Sequence, residues 1–510
     1  MRPARELREF AAAARATLAR ETDLAQFEIY CASGDHRVAR LAYTSDIPSR
    51  GVEELKSHLA EGFALRIVMR RDSRESGMAT EAGDLSLEAL RAALLRARRV
   101  ALVDPHFPGL PRKPRRLGPG IGGAAPGRLM NTGDGMMVAA AWRTIRGALE
   151  SFTSAKRPAA PAGLVLGGDV SVMRDRMTLA GSNFDDVRVE AGARFTCSVT
   201  ALVESLGAKG TASALGVTPG EMRAAAEHAG RDAVARALAL GAGERPPGGI
   251  YGVVLGPQPI AELLNYMVVP SMTTGAFHAA NTAYYGRFGA PVMDSRLSLY
   301  DDPTARNGAV RRRLTCEGLP ARRTALVRDG RLVGLLSNFY DSRRLETDEH
   351  RADKLGSAAG DAINFPPNSG YRLGESAVRR FDAHPGSVGT NVVMRGRRAV
   401  SERELVRLVG EGIYVGRVWY TYPINGQRAG DFTCTITGDS YVIRGGELAA
   451  PLAPNAMRIN ANIEQVFARP LGVGNRPCAS LVWGAPEAYY VPALAAEGIE
   501  LAAIEAPSPA

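Results

Sequence analysis

The sequence predicts an α+β protein, in which a small N-terminal α+β domain precedes a large β-rich C-terminal domain with a few helices. Two observations predict this class. Short apolar runs bounded by Gly, Pro, Asn and Asp dominate the second half, as is typical of strands joined by turns. In the first half, similar runs are combined with longer segments whose apolar residues recur at helical spacing. The 510 residues suffice for two or three domains, which we expect at 1–107, 108–248 and 249–510.

The N-terminal domain is predicted to contain five elements in the order helix, strand, strand, strand, helix. They cover residues 3–20, 27–32, 38–43, 63–69 and 85–103. Gly34 and Asp35 both favour turns, so the first two strands are predicted to form a hairpin around them. Helices packed against three strands would make a small α+β unit.

The middle segment opens with a Pro-, Gly- and Arg-rich stretch between residues 107 and 135, which is predicted as a linker or long surface loop. A helix, two strands and a second helix are predicted to follow, over residues 136–152, 163–178, 187–202 and 218–240. The turn between the two strands contains Ser182, Asn183, Asp185 and Asp186. Thr218 and Glu221 have the spacing of a capping box, which predicts where the last helix begins.

A strand over residues 250–255 and a helix after it begin the C-terminal domain. Gly256 and Pro257 mark the turn between them, and Pro259 suits the first turn of a helix. Apolar residues then recur on one helical face, which predicts a helix packed on a sheet: Ile260, Leu263, Leu264, Met267 and Val268. Pro270 lacks the backbone N–H that a helix needs, so the helix is predicted to end there.

Strands and turns dominate the remainder of the chain. Asp329-Gly330 predicts a hairpin between strands over residues 324–327 and 332–336. Strands over residues 432–437 and 441–443 are predicted to pair with each other. Ser401 and Glu404 form a second capping box, which predicts a short helix over residues 401–410.

Composition restricts the classes of function. The net charge is +10, but nearly all basic residues are arginines spread along the chain, which does not favour a nucleic-acid partner. The seven histidines contain no His-x-x-x-His or His-Glu-x-x-His pair. Five well-separated cysteines fit a reducing compartment. No signal peptide or membrane-spanning run is visible, so we expect a cytoplasmic protein.

Several segments resemble the TldD/PmbA family of two-subunit metallopeptidases. The first contains Leu255, Pro257 and the run Ala261-Glu262-Leu263-Leu264. Further segments follow in family order: Leu299-Tyr300-Asp301-Asp302-Pro303, Glu317-Gly318-Leu319-Pro320 with Arg322-Arg323-Thr324, Tyr340 with Ser342-Arg343-Arg344-Leu345, Gly389-Thr390-Asn391, Gly430-Asp431-Phe432 and Val473-Gly474-Asn475. Each segment is short, and their common order over about 230 residues makes the resemblance specific.

The resemblance is to the TldE or PmbA branch, which keeps the fold without the zinc motif. In the TldD branch, His-Glu-x-x-x-His follows the paired leucines. Here those motif positions are Asn265, Tyr266 and Pro270. The resemblance implies no catalytic residue, metal or cofactor in this chain, a TldD-like partner that carries zinc, and peptides as substrates.

Candidate binding residues are Gly430, Asp431 and Phe432, which would line a peptide groove, and Arg322 and Arg323, which would bind a carboxylate as a guanidinium fork. Asp301 and Asp302 favour turn or ion-pair roles, because neighbours in a strand point to opposite faces. Two alternatives remain open: a non-enzymatic binding or scaffold protein of the same fold, and an independent hydrolase that uses Cys478. A lone cysteine neither completes a zinc site nor acts as a nucleophile without a base.

Overall fold

The computed structural model describes residues 1–107, 109–112, 128–155, 163–183, 186–240, 243–357, 363–374 and 377–505. Most of the predicted linker between residues 107 and 135 lies outside the described residues, as does Asp185 of the predicted turn. The described chain combines helices with extended sheets, most of them in a β-rich second half, which confirms the predicted α+β class.

One antiparallel sheet organises the first half of the chain. Its strands are β1 (Leu24–Thr44), β2 (Lys56–Met69), β3 (Glu75–Ala82), β4 (Leu102–Val103), β5 (Leu164–Gly181), β6 (Arg188–Val203) and β7 (Ala208–Gly216). The helices are α1 (Ala4–Leu18), α2 (Leu87–Arg99), α3 (Asp134–Ser154) and α4 (Pro219–Leu240). The strand order is β4-β3-β2-β1-β5-β6-β7. The sheet thus includes strands from both sides of residue 107, and the proposed division there stays a prediction.

The predicted hairpin around Gly34 and Asp35 is wrong, because both residues lie inside the continuous strand β1. A Cβ atom on Gly34 would come within 2.5 Å of the carbonyl oxygen of Arg379, so glycine is needed here for close packing. The carboxylate of Asp35 is buried against Arg174, whose Nη2 lies 2.6 Å from Oδ2. Tertiary contacts therefore account for two residues whose local preference is a turn.

The second half contains two larger sheets and several short helices. Its strands are β8 (Gly249–Leu255), β9 (Leu297–Asp301), β10 (Thr324–Arg328), β11 (Arg331–Leu332), β12 (Gly370–Tyr371), β13 (Gly386–Ser387), β14 (Asn391–Gly396), β15 (Gly412–Val415), β16 (Arg417–Pro423), β17 (Asp431–Gly438), β18 (Tyr441–Arg444), β19 (Glu447–Pro451), β20 (Met457–Asn462), β21 (Gly472–Val473), β22 (Cys478–Ser480), β23 (Ala488–Val491) and β24 (Leu494–Ala503). Its helices are α5 (Pro257–Leu263), α6 (Val269–Ser271), α7 (Thr274–His278), α8 (Phe339–Glu346), α9 (Arg351–Leu355), α10 (Glu402–Val409) and α11 (Ile463–Phe467).

The nine-stranded sheet has the order β16-β17-β20-β24-β8-β15-β18-β19, with β21 beside β24. The six-stranded sheet has the order β11-β10-β9-β14-β23-β22. The predicted pairing of the segments 432–437 and 441–443 is wrong, because β17 pairs with β16 and β20 whereas β18 pairs with β15 and β19. Asp439, with a φ of 52°, turns the chain between them. The hairpin at Asp329-Gly330 is confirmed by the pairing of β10 with β11.

A buried ion-pair cluster joins the two halves. Asp175 on β5 accepts hydrogen bonds from Arg312 at 2.7 and 2.9 Å and from Arg379 at 3.0 Å. Burial alone would raise the pKa of Asp175, but the two guanidinium groups lower it below its ordinary value. Arg379 also pairs with Glu190 of β6. The cluster therefore fixes the position of the first sheet against the loops of the second half.

Among the described helices, none is long and apolar enough to cross a membrane.

Candidate functional site

The segment from Pro257 to Ser271 is a helix interrupted by a π-turn. Helix α5 leads into a π-helical turn over Leu264–Val268, and α6 follows. The predicted apolar stripe is confirmed, because its five members are each at most 1% exposed: Ile260, Leu263, Leu264, Met267 and Val268. We call this segment the broken helix.

Pro270 does not end the helix as predicted, because the chain stays helical to Ser271. A proline has no N–H for the carbonyl four residues earlier, which belongs to Tyr266. Gln427 supplies the missing donor: its Nε2 donates to the carbonyl oxygens of Tyr266 at 3.1 Å and Met267 at 2.8 Å. The π-turn and this amide together accommodate the proline, as is usual where a helix is locally broken.

The three motif positions do not carry zinc ligands. Asn265 accepts a hydrogen bond from the Tyr489 hydroxyl at 3.0 Å, Tyr266 is 38% exposed, and Pro270 has no side-chain donor atom. Zinc in proteins takes thiolate, imidazole or carboxylate ligands. Within the described ranges, no three His, Cys, Asp or Glu side chains lie together in a way that would hold a metal ion. These residues do not fit a zinc ion, and the metal-free state of the chain stays a prediction.

Glu262, which lies on the same helix, is only 3% exposed. Its Oε1 accepts a hydrogen bond from Gln258 Nε2 at 3.0 Å. Burial raises the pKa of Glu262 to about 7, while hydrogen bonds from Thr421 and Gln258 and the charge of Arg417 oppose the rise. Sequence reasoning missed this acid, and the one available signal was a carboxylate in an otherwise apolar helical segment.

Two sheet edges flank the broken helix. Strand β16 is one edge of the nine-stranded sheet, and β22 is one edge of the six-stranded sheet. Both strands contact α5. Gln258 ties β16 to the helix, because its Oε1 accepts the Val418 N–H at 3.0 Å. We call the broken helix together with β16 and β22 the helix-edge site.

Aromatic side chains concentrate at β16. Tyr420 is 72% exposed and has a φ of 57°, a conformation that costs energy for a bulky residue. The rings of Trp419 and Trp483 have centroids 6.0 Å apart. Tyr422 is also exposed. Exposed aromatic groups on a sheet edge are typical of surfaces that bind peptides or proteins.

Cys478 lies on β22 with its thiol exposed. Burial of part of the group and the nearby carboxylate of Glu402 raise the pKa of the thiol, which disfavours the reactive thiolate. Its Sγ lies 3.6 Å from the carbonyl oxygen of Arg476. The Nδ1 atom of His278 on α7 lies 2.8 Å from Asp348 Oδ2, so this histidine pairs with a carboxylate and not with Cys478.

The candidate residues Gly430, Asp431 and Phe432 lie at the start of β17. Phe432 is 1% exposed and belongs to the core, and Gly430 has a φ of 75°. Asp431 borders a groove of about 740 Å³. Side-chain amides of Asn425 and Asn462 donate to it and lower its pKa. Only the aspartate among the three therefore faces the groove.

Arg322 and Arg323 precede β10, and both are exposed. The guanidinium of Arg323 lies 3.6 Å from the ring centroid of Tyr300. Arg323 borders a second cavity, of about 690 Å³, which shares no lining residue with the groove beside Asp431. The structure therefore separates the predicted arginine and aspartate candidates into two places, and their role in binding stays a prediction.

Asp301 and Asp302 have different surroundings. Asp301 is fully buried, and its Oδ1 accepts hydrogen bonds from the Thr390 N–H at 2.7 Å and hydroxyl at 2.8 Å. Asp302 accepts hydrogen bonds from the N–H and hydroxyl of Thr304, both at 2.9 Å. Asp302 therefore stabilises its own turn, as favoured, whereas Asp301 holds the distant Thr390 instead of a turn or an ion pair, and the two carboxylates have separate partners.

Comparison with known proteins gives one family and several structures. The sequence profile of the PmbA/TldA metallopeptidase C-terminal domain matches residues 248–503, half of the chain. No curated protein matches the sequence significantly.

Three solved structures share the fold. TldE from Thermococcus kodakarensis has a TM-score of 0.72 at 14% identity, over 98% of this chain and 100% of that one. A proposed modulator of DNA gyrase from Bacteroides thetaiotaomicron has a TM-score of 0.69 at 15% identity, over 97% and 98% of the two chains. A similar protein from Thermotoga maritima has a TM-score of 0.68 at 14% identity, over 97% and 99%. The matched profile spans the broken helix and both edge strands, and this chain belongs to the TldD/PmbA metallopeptidase family.

Proposed function

We propose that this chain is a cytoplasmic TldE/PmbA-type subunit that pairs with a zinc-bearing TldD-like subunit in the proteolysis of unfolded or modified peptides. One observation carries the proposal: Asn265, Tyr266 and Pro270 occupy the positions of the zinc motif. An amide already bonded to Tyr489, a phenol and an imino acid do not make a zinc site. All five cysteines are free, which supports a reducing compartment.

The helix-edge site supplies a surface for an extended peptide. Strand β22 pairs with β23 on one side, and no strand of the described chain pairs with its other side. A free strand edge exposes N–H and C=O groups to which a peptide adds as a further strand. Such pairing depends on the peptide backbone, so it tolerates many side chains, as a protease of unfolded peptides requires.

Hydrolysis belongs to the partner in this proposal. When bound there, zinc would activate a water molecule for attack on the peptide carbonyl. This chain would hold and orient the peptide backbone at β22 and contribute the aromatic surface of β16 to the assembly. Glu262 and Gln258 have a supporting task, because they fix β16 against the broken helix.

A scaffold protein of the same fold is the second candidate. The strained, exposed Tyr420 favours a binding surface in either case, so it does not separate the two. An independent hydrolase that uses Cys478 is disfavoured, since the pKa of its thiol is raised.

The test compares the purified chain alone, a TldD-like protein from the same genome alone, and their mixture. We expect no stoichiometric zinc in this chain by metal analysis, and cleavage of fluorescently labelled casein by the mixture at a rate well above that of either protein. EDTA should abolish that cleavage. EDTA-sensitive cleavage by this chain alone contradicts the proposal, and lack of stimulation by any TldD-like partner favours the scaffold.

A further inference from the structure

A basic pocket lies on the exposed face of the six-stranded sheet, about 690 Å³ in volume. Val393 and Arg395 of β14 lie on this face, since they are two residues apart in a strand. Tyr300 of β9 and Tyr490 of β23 share the face, because both pair with Val393. We call the arginine pocket the part lined by Arg306, Arg323, Arg395, Tyr300 and Asp302.

Tyr300 holds two of the arginines in place. The Arg323 guanidinium lies 3.6 Å from the centroid of its ring, and that of Arg395 lies 5.9 Å away. A guanidinium over an aromatic face is attracted by the ring and loses part of its conformational freedom. Two cations are therefore fixed near one point before any ligand arrives.

The arginine pocket carries an uncompensated positive charge. Three guanidinium groups face one carboxylate, that of Asp302, which leaves a formal charge of +2 from three minus one. In the described part of the chain, none of Arg306, Arg323 and Arg395 forms an ion pair, whereas Asp302 is bonded to Thr304. Paired planar N–H donors of arginine match the geometry of a carboxylate.

We infer that the arginine pocket binds a carboxylate of the peptide, either an acidic side chain or a free C-terminus. This inference rests on the proposed function and adds a preference for acidic peptides. A nucleic acid is a poorer fit, because the ring that would stack on a base is already covered: Tyr300 is only 8% exposed beneath Arg323. The Tyr490 hydroxyl is also engaged, since it accepts the Ala309 N–H at 3.0 Å.

The position of the pocket suits a peptide at the edge strand. β14, β23 and β22 are consecutive strands, so a strand added to β22 would lie three spacings from β14, about 14 Å. Ala479 pairs with Tyr490, so alternate side chains of the added strand point to the same face as the pocket. Long arginine and glutamate side chains can bridge much of this distance.

The test measures binding of three acetylated, labelled pentapeptides to the full chain by fluorescence polarisation. One has two glutamates and an amidated C-terminus, one has glutamines instead, and one has glutamines with a free C-terminal carboxylate. We expect a carboxylate-bearing peptide to bind at least about tenfold tighter than the amidated glutamine peptide, as for hydrogen bonds to a charged group. The two carboxylate peptides distinguish side-chain from C-terminal recognition.

The variant R323Q/R395Q should lose this preference, whereas R8Q/R458Q, which removes the same charge from exposed arginines on α1 and β20, should keep it. The single variant R395Q controls for misfolding of the double variant, because Arg323 still covers Tyr300 in it. R395Q should lose part of the preference for carboxylate peptides. Equal binding of all three peptides, or unmeasurable binding of the carboxylate peptides, overturns the inference. An unchanged preference in R323Q/R395Q also overturns it. So does displacement of the labelled acidic peptide by oligothymidylate that is stronger than displacement by unlabelled acidic peptide. If the three peptides bind equally, the mixed subunits should still cleave casein. The carboxylate preference and the proposed function can therefore fail independently.

Discussion

Asp301 and Glu487 are buried carboxylic acids beside the six-stranded sheet. Burial, with a smaller contribution from the charges of Glu487 and Asp302, raises the pKa of Asp301 to about 7 against the opposing effect of hydrogen bonds from Thr390. Burial likewise raises the pKa of Glu487 to about 7. One oxygen of each, Oδ2 and Oε2, is buried without a hydrogen-bond partner in the described chain. Near neutral pH these residues therefore change charge inside the protein.

The pH dependence of the free energy of unfolding should reveal the protonation of Asp301 in the folded protein. In the unfolded chain Asp301 ionises near pH 4, whereas in the folded protein it keeps its proton to about pH 7. Its contribution to the free energy of unfolding is therefore largest below pH 4 and falls as pH rises to 7, by roughly 1.4 kcal/mol for each pKa unit of the shift. Asp301→Asn removes the titration and keeps an oxygen for Thr390.

We expect the stability of the wild type relative to D301N, measured by urea denaturation, to decrease between pH 4 and pH 7 and to level off above. Glu487→Gln should show the same direction. A constant difference across this range would contradict the buried, protonated state of Asp301.

The broken helix combines an apolar pattern that the sequence predicts with a long-range hydrogen bond, from Gln427, that the sequence does not predict. Its apolar stripe follows directly from residue spacing, and all its members are buried. The effect of Pro270 could not be predicted, because the compensating donor, Gln427, lies 157 positions later in the sequence. The turn prediction at Gly34-Asp35 failed for a related reason, since contacts with Arg379 and Arg174 decide that conformation.

A double-mutant cycle tests whether Gln427 compensates for the N–H that Pro270 lacks. Gln427→Ala removes the donor to the Tyr266 carbonyl and one of two side-chain donors to the Met267 carbonyl, which keeps the Ser271 hydroxyl. It should lower the free energy of unfolding by about 1 kcal/mol, since the site is partly exposed. Pro270→Ala restores a backbone N–H, so Q427A should cost less in the P270A background. Urea denaturation of the four proteins measures the coupling. An equal cost of Q427A in both backgrounds would show that the amide does not compensate for the proline.

At the scale of the whole molecule, composition and short sequence motifs predicted the fold class and the family. They did not predict how the two halves of the chain pack together. Asp175 lies 137 residues from Arg312 and 204 from Arg379, and nothing in the local sequence marks these residues as partners. The candidate site was predicted in part, because the helix after Pro257 follows from its apolar spacing and its motif residues. The arginine pocket was not, because Arg306, Arg323 and Arg395 meet only through the strand order.

Asp175→Asn should show how much the junction contributes. The substitution leaves Arg312 without its carboxylate partner and Arg379 with Glu190 alone, at a cost of about 3 kcal/mol or more. The pKa of Asp175 is lowered in the folded state, so its stabilisation is present above its ordinary pKa and is lost as pH falls through the folded value. Thermal and urea denaturation at pH 7 measure the loss. The control Asp72→Asn, on an exposed turn, should change stability by well under 1 kcal/mol; similar effects of both variants would contradict a structural role for the cluster.

The strand order also governs when the protein completes its fold during synthesis. β8 pairs with β24, so a central ladder of the nine-stranded sheet joins residues about 240 positions apart. The ribosome must therefore release residues 494–503 before that ladder closes, and until then β8 has no partner strand on its β24 side. High contact order of this kind slows folding, and a chain truncated before Leu494 would lack the strand that pairs with β8.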